Sequence, residues 1–149
     1  MFKKILVAVD GSECALKAAR AACEMAAQSD DAAIHLLTVT RQYKVTPQLK
    51  QYLEAENLMG EPKYVLDEMT SHILSEAKRI ARDAGIKDLK THVREGKPAH
   101  TIVDFAANND IDMIVIGSRG VGGEMEATLL GSVSHKVSSL AKCSVTIIR

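Results

Sequence analysis

Tryptophan is absent from this chain, and aromatic residues make up only 3% of it. That removes the stacking platforms on which single-stranded nucleic acids are usually held. A surplus of one charge is missing too, because 19 Lys and Arg balance 19 Asp and Glu for a formal net charge of zero. Without a basic excess there is no electrostatic footprint for DNA, RNA or anionic lipid, so no nucleic acid partner is expected. No run approaches the ~20 apolar residues of a membrane span. The opening Met1-Phe2-Lys3-Lys4 leads into a strand and not into the apolar stretch of a secretion signal. No membrane insertion is expected, and a cytoplasmic location is. Cys14, Cys23 and Cys143 are odd in number and lack metal-ligand or C-x-x-C spacing. They read as small buried thiols, not as a disulfide framework or a zinc site.

The commoner phosphate-binding signatures are also missing. No G-x-x-x-x-G-K-[ST] run occurs, and no G-x-G-x-x-G follows the first apolar run. Neither a His-x-Gly-His nor a Ser-Gly-Gly signature of nucleotidyl transfer appears there, and Asp10 stands without the acidic neighbour that a phosphate-accepting receiver would need. What the chain has is a dense glycine stretch: Met113-Ile114-Val115-Ile116, then Gly117-Ser118-Arg119-Gly120-Val121-Gly122-Gly123, and later Gly131-Ser132-Val133 opening an amphipathic run. It reads as a buried strand, a glycine loop and a helix start. Glycines let backbone N–H groups approach an anion closely, and a helix N-terminus adds about half a positive charge. The alternative is an ordinary strand-to-helix connection in which Gly supplies positive φ and Ser132 caps the helix.

With 149 residues, 46% of them hydrophobic, the chain can bury one good core as a single domain over 1–149. Ile5 to Val9 is a continuous apolar run suited to a strand covered on both faces. It ends at Asp10-Gly11-Ser12, where Ser12 is a good N-cap for a helix burying Ala15, Leu16, Ala19, Ala22, Cys23 and Ala26. Ile34 to Val39 is a second strand, and His35 within it has no Cys or second His nearby in sequence, so a strand edge or a polar partner is expected. Thr40 to Glu61 is long for an α/β connection, and Thr46-Pro47 signals a small excursion helix. Val65, Leu66, Met69, Ile73, Ala77, Ile80 and Ala84 then step along one face of a long helix closed by Gly85. Thr91 to Glu95 is a shorter, more polar strand suited to a sheet edge. Gly96-Lys97-Pro98 turns into a helix burying Ala99, Ile102, Val103 and Ala106. Beyond the glycine stretch, Val133, Val137, Leu140 and Ala141 form the last helical face, and Ser144 to Ile148 ends the chain as a fifth strand with an exposed edge.

Strands alternating with helices predict an open parallel five-stranded sheet in Rossmann-like order 3-2-1-4-5, with helices on both faces. Ligands bind such sheets at the carboxyl ends of the strands where the winding reverses. If the first and fourth strands flank that point, Asp10-Gly11-Ser12 faces the Gly117 loop.

Those residues in that order resemble the universal stress protein family. The resemblance is carried by Ile5 to Ser12, by Gly96-Lys97-Pro98-Ala99, by Ile116 to Gly120 with Gly131-Ser132-Val133, and by Cys143-Ser144-Val145. It implies an adenine nucleotide-binding protein of the ATP-binding type. By that likeness Asp10 lies at the ribose and metal side, where it would meet magnesium carried by ATP, and Val39 offers backbone contacts to adenine. Gly117, Arg119 and Gly120 wrap the phosphates from one side, and Gly131, Ser132 and Val133 present helix N–H groups from the other. Ala8, Val9, Ile116 and Ser134 complete the implied binding set. The likeness also implies a homodimer joined through Ser144 to Ile148.

Two features depart from the family's G-x2-G-x9-G-[ST] pattern. Ten residues, not nine, separate Gly120 from Gly131, and Glu124 and Glu126 lie among them. Pointing inward, each carboxylate would repel phosphate by about 1 to 4 kcal/mol at roughly 4 Å, unless a magnesium ion made it useful. Pointing outward, the extra residue is slack at a loop tip. Three functions follow. One is an ATP-binding regulatory protein whose contacts with a protein partner depend on occupancy. The second is a nucleotide-free dimer acting by contact alone. The third is a slow ATPase or a protein that phosphorylates itself on Ser132 or Ser134. No base is visible for turnover, so binding ranks first. Ser132 and Ser12 read as caps, and His135 reads as a solvent-facing helical histidine.

Overall fold

The computed structural model describes residues 2–41, 47, 48, 51, 55, 62–120 and 130–149, with only the backbone of 62–66. The excursion helix from Pro47 therefore lies largely outside the described residues, and the loop carrying Glu124 and Glu126 lies wholly outside them.

Five strands, β1 (Lys4–Ala8), β2 (Ala33–Thr40), β3 (Asp88–Glu95), β4 (Met113–Gly117) and β5 (Ser144–Ile148), form one parallel sheet in the order β3-β2-β1-β4-β5. This is the expected topology. The described helices between them are α1 (Glu13–Ala26), α2 (Pro62–Asp83), α3 (Pro98–Asn108) and α4 (Ser132–Leu140). None is long and apolar enough to cross a membrane.

Because side chains alternate along a strand, each strand feeds two cores. Ile5, Val7, Ile34, Leu36 and Val115 face α1 and α2, whose alanines (Ala18, Ala19, Ala22, Ala77) let those helices lie close. Leu6, Leu37, Ile114 and Ile116 face the other way, against Ile102, Phe105 and Ala106 of α3 and Val137 of α4. Both faces of β1 and β4 are covered, which is why their sequences are unbroken apolar runs.

Several helix faces differ from expectation. On α2 the buried stripe runs through Thr70, Leu74, Ala77 and Ala81, while Met69 is 57% exposed. A polar Thr and two alanines carry too weak a signal to outvote a methionine when the face is read by spacing. On α1, Ala18 joins the buried set and Leu16 is only half-buried. On α3, Phe105 is buried and Val103 half-buried. On α4, Leu140 is 46% exposed and Ser134 is buried in its place. Strand β3 starts at Asp88, three residues early, because it pairs with all eight residues of β2 from Ala33↔Asp88 to Thr40↔Glu95. Of the cysteines, Cys23 is buried, whereas Cys14 and Cys143 are half-buried.

His35 finds its polar partner across the β2–β3 ladder. Its Nδ1 lies 3.1 Å from His92 Nε2, so a second histidine absent from its sequence neighbourhood is present in space. The rings stack 9° from parallel, and Phe105 of α3 packs on both. One nitrogen must donate and the other accept, which requires a neutral ring. Burial holds both imidazoles below the ordinary histidine pKa. For His35 the neighbouring His92, Lys90 and Lys4 add to the shift and Asp88 opposes it; for His92, Arg94 and Lys90 add to it.

With both folded pKa values below the unfolded one, the unfolded chain binds more protons as pH falls through about 6.5. The stability contributed by the pair is complete above that pH and is lost on acidification. Melting curves should show Tm falling by a few degrees between about pH 7.5 and about pH 5.5. The drop should flatten in a chain carrying both His35→Leu and His92→Leu, and equal pH slopes in the two proteins would contradict this assignment.

Candidate functional site

The sheet's winding reverses between β1 and β4, which pair directly from Ile5↔Met113 to Val7↔Val115. Their carboxyl ends, Ala8 and Gly117, therefore open side by side. Beyond Ala8 the chain stays tied to β2: the Val9 N–H donates to the Leu37 carbonyl at 2.9 Å, and the Thr38 hydroxyl donates to the Val9 carbonyl at 2.9 Å. Asp10 Oδ1 then accepts the Ser12 N–H at 2.9 Å across Gly11, whose φ of 84° is left-handed. This is an aspartate turn closed on its own backbone. Ser12 caps α1 as expected, its hydroxyl accepting the Ala15 N–H at 3.2 Å.

The β4 end is shaped by what it touches. A Cβ on Gly117 would fall 2.7 Å from Cys14 Cβ and 2.8 Å from the Cys14 carbonyl carbon, so glycine is what lets the first turn of α1 press on the strand end. A Cβ on Gly120 would fall 2.8 Å from Asp10 Oδ2. The two loops meet at that contact. The Ser118 carbonyl accepts the Gly131 N–H at 2.7 Å and the Ser134 hydroxyl at 3.0 Å, fastening the start of α4 to the end of β4. The Ser118 N–H in turn donates to the Ile148 carbonyl at 2.7 Å.

A cavity of about 650 Å³ occupies the space so formed, within the size range of nucleotide-sized ligand sites. All twelve residues of the implied binding set line it. Ala8, Val9, Val39 and Ile116 form its apolar part, and Asp10, Gly117, Arg119 and Gly120 form one polar rim. Gly131, Ser132, Val133 and Ser134 form the other. Sequence reading missed Ala15, Leu37, Arg41, Pro98 and Ile102, which also line it. Arg41 directly follows the last residue of β2, so the strand-end rule would have reached it had that strand been extended to Thr40.

Two roles change. Gly131, not Ser132, is the N-cap of α4, and no side chain caps this helix. Its first N–H groups thus have no side-chain cap among the described residues, and the residues that carry them, Ser132 to Ser134, line the cavity. Ser134 is 2% exposed and bonded beneath the rim, so it braces the loop. His135 is exposed, as expected. Electrostatically the described residues of the lining include two arginines, Arg41 and Arg119, and the carboxylate of Asp10. No histidine lines it, and among the described residues no group of three or more His, Cys, Asp or Glu is placed to hold a metal. Among the described lining residues Asp10 is the carboxylate that could hold a magnesium ion brought by phosphate and water, a mixture that suits this ion. The lining thus combines apolar side chains from three strands with two glycine-bearing loops and a helix start.

Comparison with known proteins gives a consistent set. The model of the universal stress protein family matches residues 1–149. Universal stress protein YxiE of Bacillus subtilis (strain 168) is 36% identical over 156 residues, covering 100% of both chains. Universal stress protein MJ0531 of Methanocaldococcus jannaschii is 34% identical, covering 100% of this chain and 83% of the relative. Among solved structures, hypothetical protein MJ0577 superposes with a TM-score of 0.77 at 28% identity, over 99% of this chain and 96% of that one. A universal stress protein solved in complex with cAMP gives 0.69 at 26% identity, over 99% and 97%.

The close contacts make the rim sensitive to single methyl groups. Gly117→Ala should destabilise the fold by about 1 to 3 kcal/mol through overpacking against α1. Ser134→Ala should cost about 1 to 2 kcal/mol by leaving the Ser118 carbonyl short of a donor. Chemical denaturation measures both, and a Gly117→Ala protein as stable as the parent would show that the α1 contact is not tight.

Proposed function

The chain belongs to the universal stress protein family, and from that premise we propose that residues 1–149 act as one ATP-binding unit whose contacts with a protein partner depend on nucleotide occupancy. The observation that carries this reading is the meeting of Asp10 with Gly120 across the β1–β4 crevice, beside the uncapped start of α4. It needs no dedicated lysine, because backbone N–H groups from two distant segments converge on one volume.

In this reading adenine lies in the apolar end against Val9, Val39 and Ile116, with the Val39 backbone as its hydrogen-bonding edge, and the ribose lies toward Asp10. The phosphates lie between Gly117, Arg119 and Gly120 on one rim and Gly131, Ser132 and Val133 on the other. Asp10 is the residue that would hold a magnesium ion carried by the nucleotide, which would supply neutralisation of phosphate charge there. A relative at 26% identity that was solved with cAMP supports an adenine nucleotide as the class of ligand. Turnover ranks behind binding for a chemical reason. Phosphoryl transfer needs an oriented nucleophile and a base, while Ser134 is buried and bonded, and Asp10 already accepts the Ser12 N–H. The reading includes a homodimer through β5, the last strand in the order of the described sheet, whose outer edge would offer backbone groups to a second copy.

Isothermal titration with ATP should give saturable binding of one nucleotide per chain. Arg119→Ala should weaken ATP by about tenfold, the size of one lost charge-assisted contact. Absence of saturable binding up to millimolar ATP would remove the proposal. Sedimentation equilibrium should report a particle of two 16.1 kDa chains, and a monomer at all concentrations would refute the dimer.

A further inference from the structure

A second cavity, of about 520 Å³, opens beside the first and shares Arg41, Pro98, Ser132 and Val133 with it. Its remaining walls come from the Gly96–His100 turn and from Lys136. Among the described residues, the charged ones lining it are Arg41, Lys97 and Lys136, with His100 alongside, and none is a carboxylate. Among the described residues the salt bridges are Arg79–Glu76, Arg79–Asp83 and Lys90–Asp88, so none of these three cations is paired there.

The backbone compounds the charge. Lys97 is the N-cap of α3, with φ −80° and ψ 118°, no side-chain capping bond and no acidic residue in the helix's first turn. A cation at that end opposes the helix dipole, where Ser, Thr, Asn or Asp would stabilise it. The turn is built tightly to hold it there: Gly96 has φ 154°, and a Cβ on it would fall 2.6 Å from Thr101 Oγ1. The first residues of α4 line the same cavity, and that helix also lacks a side-chain cap and a first-turn acid. Two helix N-termini and three cations thus face one space in a chain whose net charge is zero. Positive charge concentrated in this way is relieved by an anion.

We infer that this basic groove receives a second phosphate group of the nucleotide held in the first cavity. The ligand would then be an adenine nucleotide carrying phosphate beyond the chain held at the glycine rim, either as an ester on the ribose or at the far end of a dinucleoside polyphosphate. The inference rests on the nucleotide-binding reading above. A separate free anion is the less economical occupant, because the wall formed by Arg41, Pro98, Ser132 and Val133 is common to both cavities. One covalent ligand spanning them would avoid a second loss of translational freedom.

The test is calorimetric titration of the whole chain with AMP, ATP, adenosine 3′,5′-bisphosphate and diadenosine tetraphosphate. It is run on the parent and on a Lys97→Ala/Lys136→Ala double variant, neither lysine lining the first cavity. The expected result is that the bisphosphate exceeds AMP, or the dinucleotide exceeds ATP, by about tenfold in affinity. That surplus should vanish in the double variant and shrink at high salt, while AMP binds both proteins equally. Which of the two shows the surplus assigns the phosphate to the ribose or to the chain end. Equal affinities in the parent, or a surplus that survives the double substitution, would overturn the inference while leaving AMP and ATP binding intact. Failure of AMP and ATP themselves to bind would instead strike the underlying nucleotide reading, and this inference with it.

Discussion

The ladder between β1 and β4, three residue pairs long, is the contact on which the rest of the molecule depends. It joins the half of the sheet that winds toward β3 to the half that winds toward β5, and no other ladder does. Its lower end is fastened by Asp112, whose carboxylate accepts the N–H groups of Lys3 and Lys4 at 2.9 Å each. Those two bonds, the Lys4 one foremost, hold the Asp112 pKa below the usual carboxylate range. At its upper end the same pairing sets Asp10 against Gly120 and lets Cys14 of α1 close on Gly117. Loops more than 100 residues apart in sequence become one rim because two short strands are neighbours. The geometry of the rim is therefore a consequence of sheet order.

That dependence explains what could be read from the sequence and what could not. Strands covered on both faces must be apolar throughout, so Ile5 to Val9 and Met113 to Ile116 stood out, and with them the loops that follow. The order 3-2-1-4-5 came from the alternation of elements and the handedness of crossovers, and with that order the pairing of Asp10 with the glycine loop followed. Strand β3 was cut short because an edge strand is free to be polar: Asp88, Leu89 and Lys90 carry no strand signal, and only the β2 register places them. The buried face of α2 was misjudged for a related reason. Its core is made by Thr70, Leu74, Ala77 and Ala81, and small residues give little periodic contrast beside an exposed Met69. Ala15, Leu37, Pro98 and Ile102 are not legible as lining residues because which helix and strand positions border a crevice is a property of three-dimensional adjacency, not of any one segment. The His35–His92 pair escaped likewise, since 57 residues separate its members.

Zero net charge says nothing about local fields, and this molecule illustrates why. Acidic and basic residues cancel over the whole chain, yet among the described residues lining the two cavities the charged ones are Arg41, Lys97, Arg119 and Lys136 against Asp10. The peptide dipoles of α3 and α4 add to this imbalance at their N-termini. The global count properly argues against an extended polyanion such as nucleic acid, which needs a broad basic surface. It has no bearing on a small anion that occupies a concave site a few residues wide, where a handful of cations and backbone N–H groups suffices.

Helix α3 shows where local stability has been given up for that arrangement. Its buried face repeats at Ala99, Ile102, Phe105 and Ala106, the spacing a helix on a sheet requires. Along that face Ile102 borders the first cavity and Phe105 covers the histidine pair. Packing therefore fixes the helix firmly from its second turn onward, while its first turn starts with a lysine where a capping oxygen would be favoured. A sequence selected for stability alone would place Ser or Asp at position 97, satisfying an orphan N–H and the dipole together. Local rules that fail at one position while holding along the rest of an element mark places where something other than folding sets the residue. Here that position lies on the wall of a cavity rich in positive charge, and the strength of the packing behind it is what allows the exception.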